Sequence, residues 1–253
     1  MTQEDALLGA VLAAPDDDAP RLAFADLMDS AGDPRGRFIR MSLDLARLDP
    51  EAPRATILAV EVGELADQHG ASWAGPVAAL VAHYVFHRGF VAEVTLTARA
   101  LLDHAPQLFA AAPIQHLNLT GTSGLEAELF GSPHLARIRS LRLNQCGLDD
   151  DALRLLADSP HLGELRWLSL LFNRIGLPGA EALAASKRLP RLAYVDFTGN
   201  PVDPGRQFAT DQGVVADSWL PEEGELLDEK YGPIPWLHYE AKTMADLPPS
   251  RYR

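Results

Sequence analysis

Pairs of apolar residues separated by a single position recur along the middle of this chain at nearly constant intervals. The pairs are Leu117/Leu119, Leu141/Leu143, Leu168/Leu170 and Val195/Phe197, and their first members lie 24, 27 and 27 residues apart. The last two segments continue through Asn173 or Asn200 to a further aliphatic residue, Ile175 or Val202. A period of this length indicates a stack of similar units, because one such unit cannot bury its own apolar face.

This spacing is the leucine-rich repeat pattern L-x-x-L-x-L-x-x-N-x-L. Val94/Leu96 lies 23 residues before the first pair and adds a fifth predicted strand. Between strands, DDDALRLLADSP and LPGAEALAASKRLP have helical spacing, and 27-residue repeats with a full helix resemble the ribonuclease-inhibitor class. The predicted fold class is α/β: a short curved solenoid of about five parallel strands on the concave side, with helices on the convex side.

The sequence before the repeats is predicted to be helical. Residues 3–49 have the apolar spacing of three short helices, with Asp18 as the expected cap of the second. A fourth helix is expected over residues 54–69, with Ile57, Leu58, Val60 and Leu65 inward and Gly70 at its end. A fifth is expected from about Pro76 to His87.

The segment LLGAVLAAPDDDAPRLAFADLMDSAGDPRGRFIRMSLDLARL is similar to the bacterial repeat-companion domain, a module of myxobacteria and planctomycetes that commonly precedes leucine-rich repeats. The resemblance continues through HGASWAGPVAALVAHYVFHRGF and covers roughly residues 3–97. PDDDAPRL, Ala25-Asp26, GDPRG and RGF occur in order, whereas Leu27-Met28 stands where the family often has a Trp-Leu pair. The family carries no biochemical function to transfer, so the resemblance implies architecture only.

Three domains are therefore expected: a helical repeat-companion module at 1–89, the repeat solenoid at 90–204, and a C-terminal cap or tail at 205–253. The last segment is acidic and rich in Pro. It carries enough apolar side chains to cover the exposed end of the last repeat: Trp219, Leu220, Leu226, Leu227, Ile234, Trp236 and Leu237.

Charge and cysteine content restrict the partners and the compartment. The net charge of −13 would repel phosphate backbones and anionic lipid, so neither nucleic acid nor a membrane is an expected partner. From Val91 to Asn200, 10 Lys/Arg balance 11 Asp/Glu, so the repeat surface is nearly neutral. Cys146 is the only cysteine, the first 18 residues are acidic, and no apolar run approaches a membrane span; these features favour the cytoplasm.

Residues that alternate with the buried pairs should form the concave face. They align in three columns: Glu93, His116, Ser140, Trp167 and Tyr194; Thr95, Asn118, Arg142, Ser169 and Asp196; Thr97, Thr120, Asn144, Leu171 and Thr198. Trp, Tyr and Arg are enriched in binding hot spots. The candidate partner-binding residues are Trp167, Tyr194, Arg142, Asp196, Leu171, Asn118 and Asn144. The alternative is that the aromatic pair packs against the C-terminal cap.

Other polar groups have a structural and a chemical interpretation. Cys146, Asn173 and Asn200 occupy equivalent positions, where a short side chain bonds to loop backbone, and this favours burial over a nucleophilic Cys146. A His83/His87 pair four apart on a helix could bind a metal, but packing is favoured. Capping is favoured over cation binding for Asp16-Asp17-Asp18. A solvated ion-pair face is favoured over an anion site for Arg35, Arg37 and Arg40.

The chain contains no P-loop, nucleophile elbow or dinucleotide fingerprint. We therefore expect no catalytic residue, cofactor, metal or small-molecule substrate. The functional hypothesis is a non-enzymatic adaptor that binds a partner protein on the concave face. Two alternatives stay open: a regulator of a small GTPase, by fold analogy alone, and an enzyme subunit with a site between the helical module and the solenoid.

Overall fold

A computed structural model describes residues 2–203, 206–210, 213–217 and 221–237. Within these residues the chain is α/β, with ten α-helices, a six-stranded sheet and a two-stranded sheet. The helices are α1 Gln3–Ala13, α2 Asp18–Ser30, α3 Arg35–Arg47, α4 Pro53–Ala74, α5 Pro76–Leu80, α6 Ala98–Ala111, α7 Glu126–Phe130, α8 Asp150–Ala157, α9 Leu177–Ala185 and α10 Pro221–Tyr231. The strands are β1 His83–His87, β2 Phe90–Thr97, β3 His116–Thr120, β4 Ser140–Arg142, β5 Trp167–Ser169, β6 Tyr194–Asp196, β7 Arg206–Thr210 and β8 Gly213–Asp217.

The larger sheet follows chain order from β1 to β6. β1 pairs antiparallel with β2, whereas β3, β4, β5 and β6 pair in parallel. Leu117, Leu141, Leu168 and Val195 are register partners across the parallel strands. The repeat spacing read from the sequence therefore sets the register of the sheet.

The chain divides into two compact units. The first comprises Met1–Thr95 and His104–Gln115, and the second comprises Leu96–Asp103 and His116–Arg253. In the first unit, α1, α2 and α3 confirm the three helices predicted over residues 3–49. Their apolar faces share a core of Val11, Phe24, Ala25, Met28, Ile39, Leu43 and Phe90.

Three motifs of the first unit, PDDDAPRL, GDPRG and RGF, meet around the Phe24/Phe90 pair, whose ring centroids are 5.2 Å apart. The guanidinium of Arg21 lies 5.1 Å from the Phe90 ring and donates to the carbonyl oxygens of Arg88 at 3.0 Å and Pro15 at 2.9 Å. Burial, followed by the nearby charge of Arg88, lowers the pKa of Arg21 to about 10. Arg21 thus ties the turn between β1 and β2 to the loop before α2.

Arg35 departs from the ion-pair face predicted for the three arginines of α3. Its guanidinium is stacked 4.9 Å from the Phe24 ring and 5.3 Å from the Phe90 ring. Arg37 pairs with Glu61, and Arg40 pairs with Asp26 and Asp29. The prediction is wrong for Arg35 because the aromatic pair offers a guanidinium a favourable stacking surface.

The cap of α2 also differs from the prediction. Asp17 is the N-cap and accepts a hydrogen bond from the backbone N–H of Ala19 at 2.9 Å. Asp18 is the first helical residue, and its carboxylate pairs with Arg88 and Arg47 instead. The acidic run therefore serves helix capping and ion pairing in this unit.

Two helix predictions in the first unit are wrong. α4 continues past Gly70 to Ala74, because a single glycine is tolerated within a helix, and the ring of Phe86 lies close to Gly70. Ile57 and Val60 are 63% and 58% exposed, so the inward assignment is wrong for these two, whereas Leu58 and Leu65 are half-buried. The helix predicted from Pro76 to His87 ends at Leu80, and its second half is β1, where aromatic and β-branched residues favour a strand.

In the second unit, helices alternate with strands as the sequence predicts. Asp149 caps α8 by accepting from the backbone N–H of Ala152 at 3.0 Å. Asp150 caps the following helix: its carboxylate accepts from Gly176 N–H at 2.7 Å and Gly179 N–H at 3.0 Å, at the start of α9. Neighbouring repeats within the second unit are therefore joined at their helix ends as well as through the sheet.

The C-terminal part of the described chain packs against the rest of the second unit. Leu227, Ile234 and Trp236 are buried, and the Trp236 ring centroid lies 6.0 Å from that of Phe197. Leu226 is 53% exposed. β7 and β8 form an antiparallel pair that was not predicted. Trp219, Leu220 and the predicted boundary at residue 204 lie outside the described residues.

Candidate functional site

The candidate site is the face of β3 to β6 formed by residues that alternate with the buried pairs. Both members of each pair are buried: Leu117, Leu119, Leu141, Leu143, Leu168, Leu170, Val195 and Phe197. Side chains alternate across a strand, so the intervening residues lie on the opposite face. We call that face, made of His116, Asn118, Ser140, Arg142, Trp167, Ser169, Tyr194 and Asp196, the strand face.

The first row of the strand face is aromatic. His116, Ser140, Trp167 and Tyr194 are register partners on successive strands. Trp167 and Tyr194 are half-buried neighbours, and the ring centroids of His116 and Trp167 are 6.4 Å apart across the small side chain of Ser140. His116 is buried, so Trp167 and Tyr194 are the rings of this row that reach the surface.

The second row carries the charges. Asn118, Arg142, Ser169 and Asp196 are register partners, so a cation and an anion stand on either side of Ser169. Asp196 is held in place: its carboxylate accepts from the Tyr194 hydroxyl at 3.4 Å and from Thr198 N–H at 3.1 Å. The structure thus brings Trp167, Tyr194, Arg142 and Asp196 onto three adjacent strands.

Asn144 and Leu171 follow the ends of β4 and β5. The side-chain oxygen of Asn144 accepts from the Ser169 hydroxyl at 2.9 Å and from Leu171 N–H at 3.0 Å. Asn144 therefore has a structural role besides any contact with a partner. Leu171 is half-buried and lies two residues after Ser169, the last residue of the strand that carries Trp167.

Phe172 is a further candidate that sequence reasoning missed. Its side chain is 57% exposed and its backbone is left-handed, with φ of 55°. The equivalent positions of the other repeats are Gly121, Gln145 and Gly199, with φ of 63°, 55° and 77°. A Cβ added at Gly199 would collide with the Phe172 ring, so that ring rests on the glycine of the next unit. The signal in the sequence was an aromatic residue at a position where two other repeats have Gly.

The residues after these left-handed positions connect one repeat to the next. Asn173 donates to the carbonyl oxygen of Leu143 at 2.9 Å, and Asn200 donates to that of Leu170 at 2.8 Å. Cys146 occupies the equivalent position, and its thiol donates to the carbonyl oxygen of Leu119 at 3.4 Å. Burial raises the pKa of Cys146, which opposes formation of the nucleophilic thiolate.

The predicted His83/His87 metal pair loses its geometric basis. The two residues are the first and last of β1, and four residues of extended chain place their Cα atoms roughly 13 Å apart. Among the residues that the structure describes, no group of three or more His, Cys, Asp or Glu side chains is arranged to hold a metal ion.

A cavity of about 280 Å³ lies beside the start of α8, and its lining includes Asp149, Asp151 and Arg174. The Asp149 carboxylate caps α8, Asp151 pairs with Arg154, and Arg174 donates to the carbonyl oxygen of Gly147 at 2.7 Å. These polar groups stabilise local structure.

No protein-family model matches the sequence, and no curated protein is similar enough to be matched to it. The described part of the chain contains no helix whose length and apolar character would suffice to cross a bilayer. The functional inference therefore depends on the geometry of the strand face.

Proposed function

We propose that this chain is a non-enzymatic leucine-rich-repeat adaptor that binds a partner protein on its strand face. In this proposal the first unit is a repeat-companion module, the second is a short solenoid whose concave side is the strand face, and the C-terminal segment caps its open end. The protein acts in the cytoplasm and needs no cofactor, nucleic acid or membrane.

The observation that carries the proposal is the composition of the strand face. Trp167 and Tyr194 stand side by side, half-exposed, with Arg142 and Asp196 in the adjacent row. Trp, Tyr and Arg are the residues that most often dominate binding energy at protein interfaces. The packing of Leu168 and Val195 on the other side of the sheet holds them in fixed register.

Affinity capture from the native host with the full chain as bait, followed by hydrogen exchange on the captured complex, tests the proposal. The bait carrying Trp167→Ala and Tyr194→Ala should lose the partner. Exchange protection should appear at residues 140–144, 167–171 and 194–198. Protection confined to residues 3–50 would assign the binding function to the first unit.

A further inference from the structure

The strand face has two features that define the chemistry of its partner. The first concerns Arg142, whose guanidinium has no carboxylate within ion-pair distance in the described ranges of the chain. Some exposed arginines pair with a carboxylate, as Arg37 does with Glu61, whereas Arg166 and Arg174 resemble Arg142 in having no ion pair among the described residues. Arg142 is distinguished by its place: it is half-buried in the strand face, in the row next to that of Trp167 and Tyr194, where its charge can pair with an external anion.

A carboxylate is the anion that best fits this position. Arginine binds carboxylates through two parallel hydrogen bonds, and such charge-assisted bonds are about twice as strong as neutral ones. The neighbours of Arg142 in the row, Asn118 and Ser169, carry no charge that would oppose an incoming carboxylate. Asp196, one strand further, would repel a second acidic group and so restrict where the first can lie.

The second feature is Phe172. A bulky side chain in the left-handed region costs on the order of 1 to 3 kcal/mol, and Gly121 and Gly199 meet the same backbone requirement without that strain. The ring is nevertheless 57% exposed, so burial within the described fold repays little of this cost. The exposed part of the ring is a surface on which an apolar group of a partner can pack.

The spacing of these groups describes the partner further. Phe172 lies in the turn that follows β5, five residues after Trp167 and three after Ser169. The row containing Arg142 and Ser169 lies between these apolar ends. Along this segment of the chain the order is therefore apolar, charged, apolar.

We propose that the strand face binds an acidic polypeptide segment. One apolar side chain of the segment packs on Trp167 and Tyr194, a second packs on Phe172, and a carboxylate between them pairs with Arg142. This inference rests on the proposed protein-binding function and specifies the class of partner.

A display library of random 12-residue peptides, selected against the full chain, tests the inference. Wild type should enrich peptides with Asp or Glu between two apolar residues. Arg142→Lys should keep this preference, whereas Arg142→Glu should weaken binding of the selected peptides at least tenfold and select basic residues instead. Arg154→Glu, on α8, is the matched charge control and should leave binding unchanged.

Phe172→Gly separates binding from folding. It should weaken peptide binding at least tenfold while the melting temperature stays the same or rises, because the left-handed strain is removed. A lowered melting temperature together with unchanged binding would make Phe172 a packing residue and overturn the inference.

The remaining outcomes distinguish this inference from the proposed function. Enriched peptides that depend on Trp167 but lack acidic residues, or that bind Arg142→Glu equally well, would overturn the inference and leave the proposed function standing. No enrichment on the strand face would overturn both. A wild-type dimer in sedimentation that Phe172→Gly dissociates would assign the face to a second copy of the chain and also overturn the acidic-segment assignment.

Discussion

The side-chain oxygen of Asn173 accepts a hydrogen bond from the backbone N–H of Cys146, a residue of the preceding repeat, at 3.0 Å. The same oxygen accepts from Leu148 N–H at 3.1 Å, and the amide nitrogen donates to the carbonyl oxygen of Leu143 at 2.9 Å. All of these groups are buried, so water cannot replace the bonds. One carboxamide therefore holds the loop of one repeat against the next repeat.

Asn173→Ala should lower the free energy of unfolding by roughly 1 to 3 kcal/mol, because the buried backbone groups lose their partner. Denaturant melts of the full chain measure the change. A loss of stability below about 0.5 kcal/mol would contradict the role of this side chain as a link between repeats.

Leu143→Ala should cost more, about 2 to 5 kcal/mol, because it leaves a cavity in the fully buried row. The adjacent Asn144→Ala is the matched control. The sequence alone predicts that this second change is nearly silent, but the bonds from Ser169 and Leu171 raise the expected cost to about 0.5 to 1.5 kcal/mol. A larger effect for Asn144 than for Leu143 would reverse the assignment of the two faces.

Trp236→Ala tests the proposed cap. Trp236 is buried beside Phe197, the last residue of the repeated pairs, and its truncation should cost about 3 to 5 kcal/mol. Leu226→Ala, at an exposed position, should change stability by less than about 0.5 kcal/mol. Removal of residues 205–253 should then cause aggregation. A well-folded 1–204 fragment that melts cooperatively would show that the last repeat needs no covering.

Asp18 should make the first unit sensitive to acid. Burial acts to raise the pKa of Asp18, but hydrogen bonds and charge attraction from Arg88 and Arg47 outweigh it, so the pKa lies below its ordinary value. A lowered folded-state pKa stabilises the fold above the unfolded-state pKa, and this stability is lost as pH falls through the folded-state value.

Asp18→Asn should therefore cost up to about 1 kcal/mol near neutral pH. The difference from wild type should shrink as the pH falls below the ordinary range of an aspartate. Urea melts at a series of pH values measure it. A difference that persisted or grew in acid would show that the side chain contributes through packing and not through its charge.

The period of the leucines was sufficient to predict the parallel register, because burial on one face of the sheet allows each strand only one alignment. The first unit was harder. The apolar spacing of Tyr84, Val85 and Phe86 predicts the end of a helix, yet their pairing with β2 decides their conformation, and helical periodicity does not show that pairing. Ile57 and Val60 fit a helical period while their face of α4 stays exposed, so periodicity gave the element but not its orientation.

The candidate site divides in the same way. Trp167, Tyr194, Arg142 and Asp196 could be placed together because alternation and register are enough to position them. Phe172 could not, because it lies after the strand, where alternation no longer gives direction. Its left-handed backbone is set by the turn that the four equivalent positions share, and an exposed ring there contradicts local preference.

Trp167→Ala should weaken binding of the captured partner by about 2 kcal/mol or more, the scale of a hot-spot residue. The indole lies in the first row between Ser140 and Tyr194, with its ring centroid 6.4 Å from that of His116. Titration calorimetry with the purified partner measures the change, and the melting temperature should stay near that of wild type because the buried pairs are untouched. Arg154→Glu changes an exposed charge on α8 and should leave affinity unchanged. Equal losses for the two variants would show that binding depends on overall charge or stability, and the strand face would then have no special role.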